Sequence, residues 1–230
     1  MNELHPRRRS QVVRQSLSVG LATGAYGVSF GALAVAAGLS LWQTMALSTL
    51  LFSGGSQFAI VGIVAAGGSG VAAIATSSML GLRNSLYALQ VSRMLDVRGL
   101  RRVAAAQLTI DESTAVAVGQ PERQASRLGF WVTGVTIFVL WNLATLAGAL
   151  VGDALGDPRA YGLDAAASAA FLALLWPRLR SREAQAVGVA AALLALLLAP
   201  HSPAGVPVLV AAVTAVVAGV RPRHEREVPA

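Results

Sequence analysis

Residues 41–66 read LWQTMALSTLLFSGGSQFAIVGIVAA, an apolar stretch that Ser53-Gly54-Gly55-Ser56 interrupts at its middle. The stretch is long enough to cross a bilayer, for which about 20 apolar residues suffice. Two adjacent glycines, however, weaken a helix by roughly 1 kcal/mol each relative to alanine. The sequence therefore predicts a helix that is broken inside the membrane.

The whole chain is far more apolar than a soluble domain. It is 55% hydrophobic and 13% charged, against about 25% charged residues in average soluble proteins, and its mean hydropathy is +0.61. This composition predicts an all-α fold, a polytopic transmembrane helix bundle. The apolar segments besides 41–66 are 16–39, 70–91, 103–119, 128–151, 161–177, 184–199 and 205–220.

The arginines indicate how these segments cross the membrane. The net charge is +7, every basic residue is an arginine, and the arginines cluster at the ends of the apolar segments and in the tails. This distribution is typical of the positive-inside rule rather than of nucleic-acid binding, and it places both termini in the cytoplasm. The arginines at 93–102 also lie inside if 41–66 enters the bilayer and returns, and Arg123 and Arg127 lie inside if 103–119 does the same. The prediction is about six full spans plus broken, re-entrant helices; the rival arrangement has eight full spans.

Composition also limits the domains and the chemistry. We expect a single transmembrane transporter domain at 16–220, between disordered cytoplasmic tails at 1–15 and 221–230. The chain has no cysteine, and its three histidines lack zinc-ligand spacing. No serine lies in a sequence motif of a serine nucleophile with a histidine base. We therefore expect no metal site, no cofactor, no catalytic residue and no nucleic-acid partner.

The glycine break is the first candidate for function, because unwound backbone inside a bilayer is tolerated only where it faces protein or a watery cavity. A helix that begins near Ser56 would offer unpaired N–H groups and a positive dipole end to a carboxylate. The alternative is that the glycines let helices pack closely. The candidate substrate-binding residues at the break are Gly54, Gly55, Ser56 and Gln57.

Arg83 is a second candidate, since an arginine at the bilayer centre costs roughly 2.5 to 3.5 kcal/mol. Asn84 is adjacent and Tyr87 shares its helical face. These residues could line a polar path, or Arg83 could pair with a carboxylate. The alternative is an arginine whose charged end reaches the membrane edge.

Asp111, Glu112 and Asp164 are the candidate carboxylates for a coupling proton or a substrate ammonium group. Their alternative role is structural. Thr109 to Glu112 fits a capping box, in which the Glu112 side chain reaches back to the Thr109 backbone, and Asp164 would cap a helix.

Aromatic and amide side chains give weaker indications. Tyr26 and Phe30 are four residues apart and could form the floor of a pocket, although aromatic pairs at that spacing more often serve packing. Asn142 lies among apolar neighbours, and we expect it to bond to another helix as structural glue.

Several motifs together carry a resemblance to a known family. They are Gly27-Val28-Ser29-Phe30-Gly31, Phe52-Ser53-Gly54-Gly55-Ser56-Gln57-Phe58, Leu82-Arg83-Asn84-Ser85-Leu86-Tyr87, Leu108-Thr109-Ile110-Asp111-Glu112, the run from Trp141 to Gly148, and Gly162-Leu163-Asp164 leading to Phe171 and Pro177. Over about residues 27–177 the chain resembles the AzlC family, the large subunit of bacterial branched-chain amino acid exporters. It departs from the usual family pattern at Ser53 and Gly55, where alanine is usual. It also departs at Asn84, where the family's histidine would be titratable.

The resemblance implies an inner-membrane exporter of hydrophobic amino acids such as valine, leucine or isoleucine, with a small four-helix AzlD-type membrane subunit as obligatory partner. Export would draw on the proton-motive force. Two other functions stay open, which are a passive pore or structural membrane subunit, and export of another small hydrophobic metabolite. The residues add a candidate site, with the glycine break for the substrate carboxylate, the three carboxylates for its ammonium group, and Tyr26, Phe30 and Phe171 for its side chain.

Overall fold

The computed structural model describes residues 4–155, 179–203 and 205–220, together with Leu172, Leu175 and Trp176. Its regular elements are helices, as the sequence predicts. They are α1 (Pro6–Ala25), α2 (Gly27–Ala36), α3 (Leu41–Leu50), α4 (Gly55–Ala65), α5 (Gly70–Leu95), α6 (Leu100–Gln107), α7 (Asp111–Val118), α8 (Arg123–Leu155), α9 (Arg182–Leu198) and α10 (Val206–Val220), with a short 3-10 turn at Ala199–His201. The predicted site residues Asp164 and Phe171 lie outside the described residues.

The prediction of a disordered tail at 1–15 is wrong from Pro6 onward. Proline is favoured at the first position of a helix, where its missing N–H costs nothing, and α1 begins with it. Val12 and Ser16 of this first part are buried. Ser16 lies against α8, where its hydroxyl is 3.5 Å from the carbonyl oxygen of Gly129. Tertiary packing therefore orders a segment whose arginine-rich composition suggested disorder.

The first span and α8 pack side by side and run in the same direction. Gly20 lies against Thr136, and further along both helices Gly31 lies against the backbone at Thr145. Glycines on both partners let the two backbones approach closely, as small residues do in membrane bundles. Both helices start at one end of the bundle, which we call the arginine end because arginines begin both α1 and α8.

α5 runs in the opposite direction to α8. Its C-terminal end lies at the arginine end, where Arg123 and Arg127 of α8 donate to the carbonyl oxygens of Arg93 and Met94 at 3.1 to 3.3 Å. Cations at the C-terminus of a helix are favourable because they neutralise its unpaired carbonyl groups.

α3 enters the bundle from the end opposite the arginines. The hydroxyl of Ser48 donates to that of Thr145 at 3.1 Å, and the ring centroids of Phe52 and Phe138 are 5.1 Å apart. Later residues of α3 therefore contact earlier residues of α8, which means that the two helices are antiparallel. α3 ends at Leu50, near the level of the middle of α8.

α4 then returns to the end from which α3 came. Ser56 at its start bonds to the carbonyl oxygen of Ser77 on α5 at 3.0 Å, whereas Ile63 near its end and Ala72 on α5 both lie against Gly205. Later residues of α4 thus lie nearer the start of α5, so α4 and α5 are antiparallel. α3 and α4 form a first hairpin, in agreement with the prediction that 41–66 enters and returns.

α6 and α7 form a second hairpin, which enters from the arginine end. The amide of Gln107, the last residue of α6, donates to the carbonyl oxygen of Thr49 at 2.7 Å, so α6 ends at the tip of the first hairpin. Leu108 lies against Gly134 of α8, and Val116 of α7 lies against Gly129. α7 therefore runs back toward the arginine end, again as predicted for 103–119.

The two hairpins enter from opposite ends and their tips meet at the level of the middle of α8. Three helices of the described residues are long and apolar enough to cross a membrane, which are Pro6–Ala36, Arg123–Gly152 and Arg182–His201. α9 packs against α10 and buries none of its residues, so it lies at the periphery. The number of full spans remains a prediction.

Candidate functional site

The tip of the first hairpin is an open backbone turn closed by one glutamine. Gly54 has a φ of 51°, a left-handed conformation that glycine adopts without strain. Gln57, fully buried, accepts from the Gly54 N–H at 3.1 Å and donates to the carbonyl oxygen of Leu47 at 2.9 Å. The single amide thus joins the start of α4 to the end of α3, satisfying backbone groups that helix termini leave unpaired.

The tip of the second hairpin uses a serine in the same position. The N–H of Ile110, the residue before α7, donates to the hydroxyl of Ser113 at 3.1 Å, and that hydroxyl donates to the carbonyl oxygen of Leu108 at 2.6 Å. The predicted capping box from Thr109 to Glu112 is wrong. The Thr109 hydroxyl donates to the carbonyl oxygen of Ala105 at 2.7 Å and its N–H to that of Ala106 at 3.2 Å, so Thr109 caps the end of α6 instead of the start of α7.

Polar contacts join the first tip to α5. The amide of Asn84 donates to the hydroxyl of Ser53 at 3.2 Å. The Ser53 hydroxyl is 3.1 Å from that of Ser56, which donates in turn to the carbonyl oxygen of Ser77. Asn84 therefore lies at one end of a hydrogen-bonded chain that fixes the tip to α5.

An ion pair joins α5 to the second tip. The guanidinium of Arg83 lies 2.8 Å from a carboxylate oxygen of Asp111, and the side chains are 28% and 18% exposed. Asp111 is the first residue of α7, where a negative charge also complements the helix dipole. Pairing explains how an arginine is tolerated at this depth, so of the alternatives raised for Arg83 the structure selects a carboxylate partner.

A cavity of about 200 Å³ lies where the two tips, α5, α8 and the first span meet. Its polar lining consists of Arg83, Asn84, Asp111, Glu112 and the Gly54–Gly55 backbone. Its apolar or aromatic lining consists of Tyr26, Phe52, Phe58, Ile110, Ile137 and Trp141. The cavity therefore offers charges of both signs beside a hydrophobic wall.

Comparison with known protein families covers the helices that form the cavity. The family model described as AzlC protein matches residues 18–155. This chain belongs to the AzlC family. The match runs from α1 to the end of α8 and includes both hairpins and every residue named as lining the cavity.

A curated relative supports the same assignment. An "uncharacterized membrane protein" of Archaeoglobus fulgidus is 34% identical over 160 residues, which cover 69% of this chain and 70% of the relative. No solved structure matches the chain. Membership of the AzlC family places the chain among transport-related membrane proteins.

Most of the residues predicted for the site of this AzlC protein come together at the cavity. Those that line it are Tyr26, Gly54, Gly55, Arg83, Asn84, Asp111 and Glu112. Three predicted residues lie behind its wall instead. Ser56 and Gln57 are buried in the hydrogen bonds of the first tip, and Phe30 is buried against the rings of Phe58 and Trp141. Tyr87 lines a neighbouring cavity.

Sequence reasoning missed much of the apolar wall. Phe52 and Phe58 flank the glycine break, and their closeness to it was a usable signal. Ile137 and Trp141 lie one helical turn apart on α8, which is an ordinary packing pattern and gave no such signal. Asn142, expected to bond another helix, donates to Phe138 of its own helix at 2.8 Å.

Among the described residues, no three histidine or carboxylate side chains come together as ion ligands would. The residues that line the cavity offer recognition by charge, hydrogen bond and apolar contact.

We predict that Gln57→Leu lowers the amount of folded protein in the membrane. The change leaves the Gly54 N–H and the Leu47 carbonyl without the glutamine amide, and an unsatisfied buried group costs about 1 to 3 kcal/mol. The measurement is the quantity and the melting temperature of detergent-solubilised protein.

Gln43→Leu is the matched control for this prediction. Gln43 makes the same kind of bond at the start of α3, to the Ser40 N–H at 2.8 Å, but in an exposed position. Gln43→Leu should therefore lower the stability of the protein less than Gln57→Leu does. Normal accumulation of Gln57→Leu with loss of transport would contradict the structural role and favour direct substrate contact.

Proposed function

We propose that this chain exports branched-chain or similar hydrophobic amino acids across the inner membrane and that the cavity between the hairpin tips binds the substrate. The observation that carries the proposal is the Arg83–Asp111 ion pair beside an aromatic and aliphatic wall. A free amino acid has the complementary set of groups, which are a carboxylate, an ammonium group and an apolar side chain.

The polar side of the cavity provides partners for both charged groups. Arg83 and the start of α4 at Gly54–Gly55 suit the substrate carboxylate, since a guanidinium binds carboxylates with two donors and a helix N-terminus attracts anions. Asp111 and Glu112 suit the ammonium group. When a substrate that carries both charges binds, its carboxylate can pair with Arg83 and its ammonium group with Asp111. Neither side chain is then left without a partner of opposite charge.

The apolar side of the cavity favours an aliphatic substrate. Phe52, Phe58, Ile137 and Trp141 are all nearly buried, so a side chain placed among them loses contact with water. Each buried methylene group contributes about 0.8 kcal/mol. The volume of about 200 Å³ is below the roughly 300 to 1,000 Å³ of pockets for drug-sized ligands, which supports a single small metabolite.

The arrangement of the hairpins supports a carrier rather than a passive pore. Broken helices that place their termini at a midplane site are typical of secondary transporters. Gln107 bonds the second tip to the first, and Asn84 bonds the first tip to α5, so no open channel passes between these bonded groups. The proposal includes coupling to the proton-motive force through Glu112 and an AzlD-type small membrane subunit as partner.

The test is efflux of radiolabelled leucine and valine from cells that express this chain with or without the small subunit. We expect saturable efflux that requires both subunits and falls when an uncoupler is added. Flux that rises linearly with substrate and ignores the uncoupler would indicate a passive pore. Saturable efflux of another metabolite, with none of either amino acid, would keep the carrier and replace its substrate.

We predict that Glu112→Gln abolishes uncoupler-sensitive efflux while the protein still accumulates, because the amide keeps the shape of the side chain but has neither a negative charge nor a proton to exchange. Glu122→Gln is the matched control, since Glu122 is exposed and lines neither the central cavity nor the neighbouring one beside Tyr87. Wild-type efflux by Glu112→Gln would remove Glu112 from the coupling mechanism.

A further inference from the structure

A second cavity, of about 370 Å³, lies between α5 and α7. Asp111 and Glu112 line both this cavity and the central one, so the two spaces meet at the start of α7. Tyr87 and Gln90 line the second cavity from α5, and Ala115 lines it from α7.

The second cavity extends from the central one toward the arginine end. Arg83 lines the central cavity and Gln90 the second, a difference of about 10 Å along α5 at 1.5 Å per residue. Val118, near the end of α7, also lines the second cavity. Together the two cavities mark a route from the hairpin tips to the side of the membrane at which the arginines lie.

The helices on either side of this route belong to different packing units. α7 packs chiefly on α8, and α5 packs chiefly on α4. The Arg83–Asp111 ion pair joins α5 to α7 where the two cavities meet. A displacement of α5 and α4 relative to α7 and α8 would therefore widen the route without opening either packed pair.

A buried hydroxyl at this route lacks a partner. Thr114 is 6% exposed and lines the second cavity, and its hydroxyl forms no hydrogen bond with any residue the structure describes. An unsatisfied buried hydroxyl is unfavourable. The oxygen has almost no exposed surface, so a polar ligand would gain a bond there only when the route widens. Gln90 and Glu112 add further polar groups for such a ligand.

We infer that the second cavity is an entry vestibule, in which the amino acid binds between α5 and α7 before it reaches the central cavity from the arginine end. The inference rests on the proposed function and deepens it, since it assigns the side of entry and a gate. The ammonium group of the substrate meets Glu112 first and then takes the place of Arg83 at Asp111. Breaking that ion pair opens the central cavity.

Single cysteines test the vestibule, because the chain has none of its own. Ala115→Cys places a thiol in the vestibule, and Ser92→Cys places one on α5 at an exposed position near the arginine end that lines neither cavity. Inside-out vesicles that contain the exporter and its small subunit are treated with a membrane-impermeant methanethiosulfonate reagent, with or without saturating leucine. Labelling and leucine transport are then measured on the same vesicles.

We expect the reagent to label Ala115→Cys in inside-out vesicles, leucine to slow that labelling severalfold, and labelling to abolish transport. Labelled Ser92→Cys should retain transport. If labelled Ala115→Cys transports at the unlabelled rate and leucine does not protect it, the vestibule is overturned although the exporter stands. If the unlabelled proteins transport no leucine at all, the proposed function itself is contradicted.

Discussion

Arg83→Gln is expected to lower export strongly and to reduce the amount of folded protein, because it leaves Asp111 without its guanidinium partner at the level of the hairpin tips. Removal of one partner from a buried ion pair costs about 3 to 5 kcal/mol, and the partial exposure of this pair to the cavity places the loss near or below the lower limit. Efflux per folded molecule should fall about 30-fold, which corresponds to about 2 kcal/mol of lost substrate interaction.

A double variant separates stability from recognition. Arg83→Gln with Asp111→Asn removes both charges, so no unpaired charge remains at this point, and accumulation should recover toward that of the natural protein. Export should not recover, because the substrate carboxylate has lost its guanidinium partner. Arg102→Gln, at an exposed position outside the cavities, controls for the loss of any arginine. Export by the double variant at the natural rate would exclude the ion pair from substrate binding.

Gly148→Ala is expected to give the largest loss of stability. A Cβ atom at this position would overlap the backbone of Val28, including its carbonyl oxygen, and backbone atoms cannot move aside as a flexible side chain can. Overpacking typically costs 1 to 3 kcal/mol and occasionally more, so we expect about 3 kcal/mol or more. The check is the fraction of protein that stays monodisperse after solubilisation and heating.

Gly62→Ala provides the control with the opposite sign. An added Cβ there meets no atom within 4 Å, and Gly62 lies inside α4. Alanine in place of glycine inside a helix gains about 1 kcal/mol, so accumulation and melting temperature should stay the same or rise. If both variants behaved alike, close packing between the first span and α8 would not be what positions these helices.

The two hairpins resemble each other in their connections and in the hydrogen bonds at their tips. The first hairpin connects the first span to α5, and the second connects α5 to α8, so the chain alternates long helices with hairpins that enter from opposite ends. At both tips the residue before the second helix donates its N–H to a side chain three positions later, which is Gln57 at the first tip and Ser113 at the second. Opposed elements of this kind could alternate in closing the central cavity, which is how inverted repeats serve transporters.

The apolar segments and the two broken helices could be predicted from the sequence because they depend on local properties. About 20 apolar residues suffice for a span wherever they occur, and paired glycines weaken a helix in any context. The arginine distribution also pointed to two segments that enter and return. The family could be recognised for the same reason, since its motifs are short and two of them lie at these breaks.

Composition was a poorer guide where packing decides. The arginine-rich residues after Pro6 suggested a disordered tail, and contacts with α8 make them a helix. Thr109 and Glu112 matched a capping box, but the helix begins at Asp111 and Ser113 closes the tip. A capping pattern specifies only residue types and their spacing. Where a helix actually starts also depends on which backbone groups hydrogen-bond to the preceding helix.

What the sequence determined by itself was the set of polar groups that the membrane interior must accommodate. Only the tertiary structure decided which of them face the cavity. Gln57 and Phe58 are adjacent, yet the side chain of Gln57 hydrogen-bonds to backbone groups whereas that of Phe58 lines the cavity. The physical reason is that the direction of a side chain follows from the rotation of its helix, and that rotation is set by packing against helices distant in sequence. Arg83 and Asp111 likewise became a pair only when two hairpin tips and α5 met at one level of the membrane.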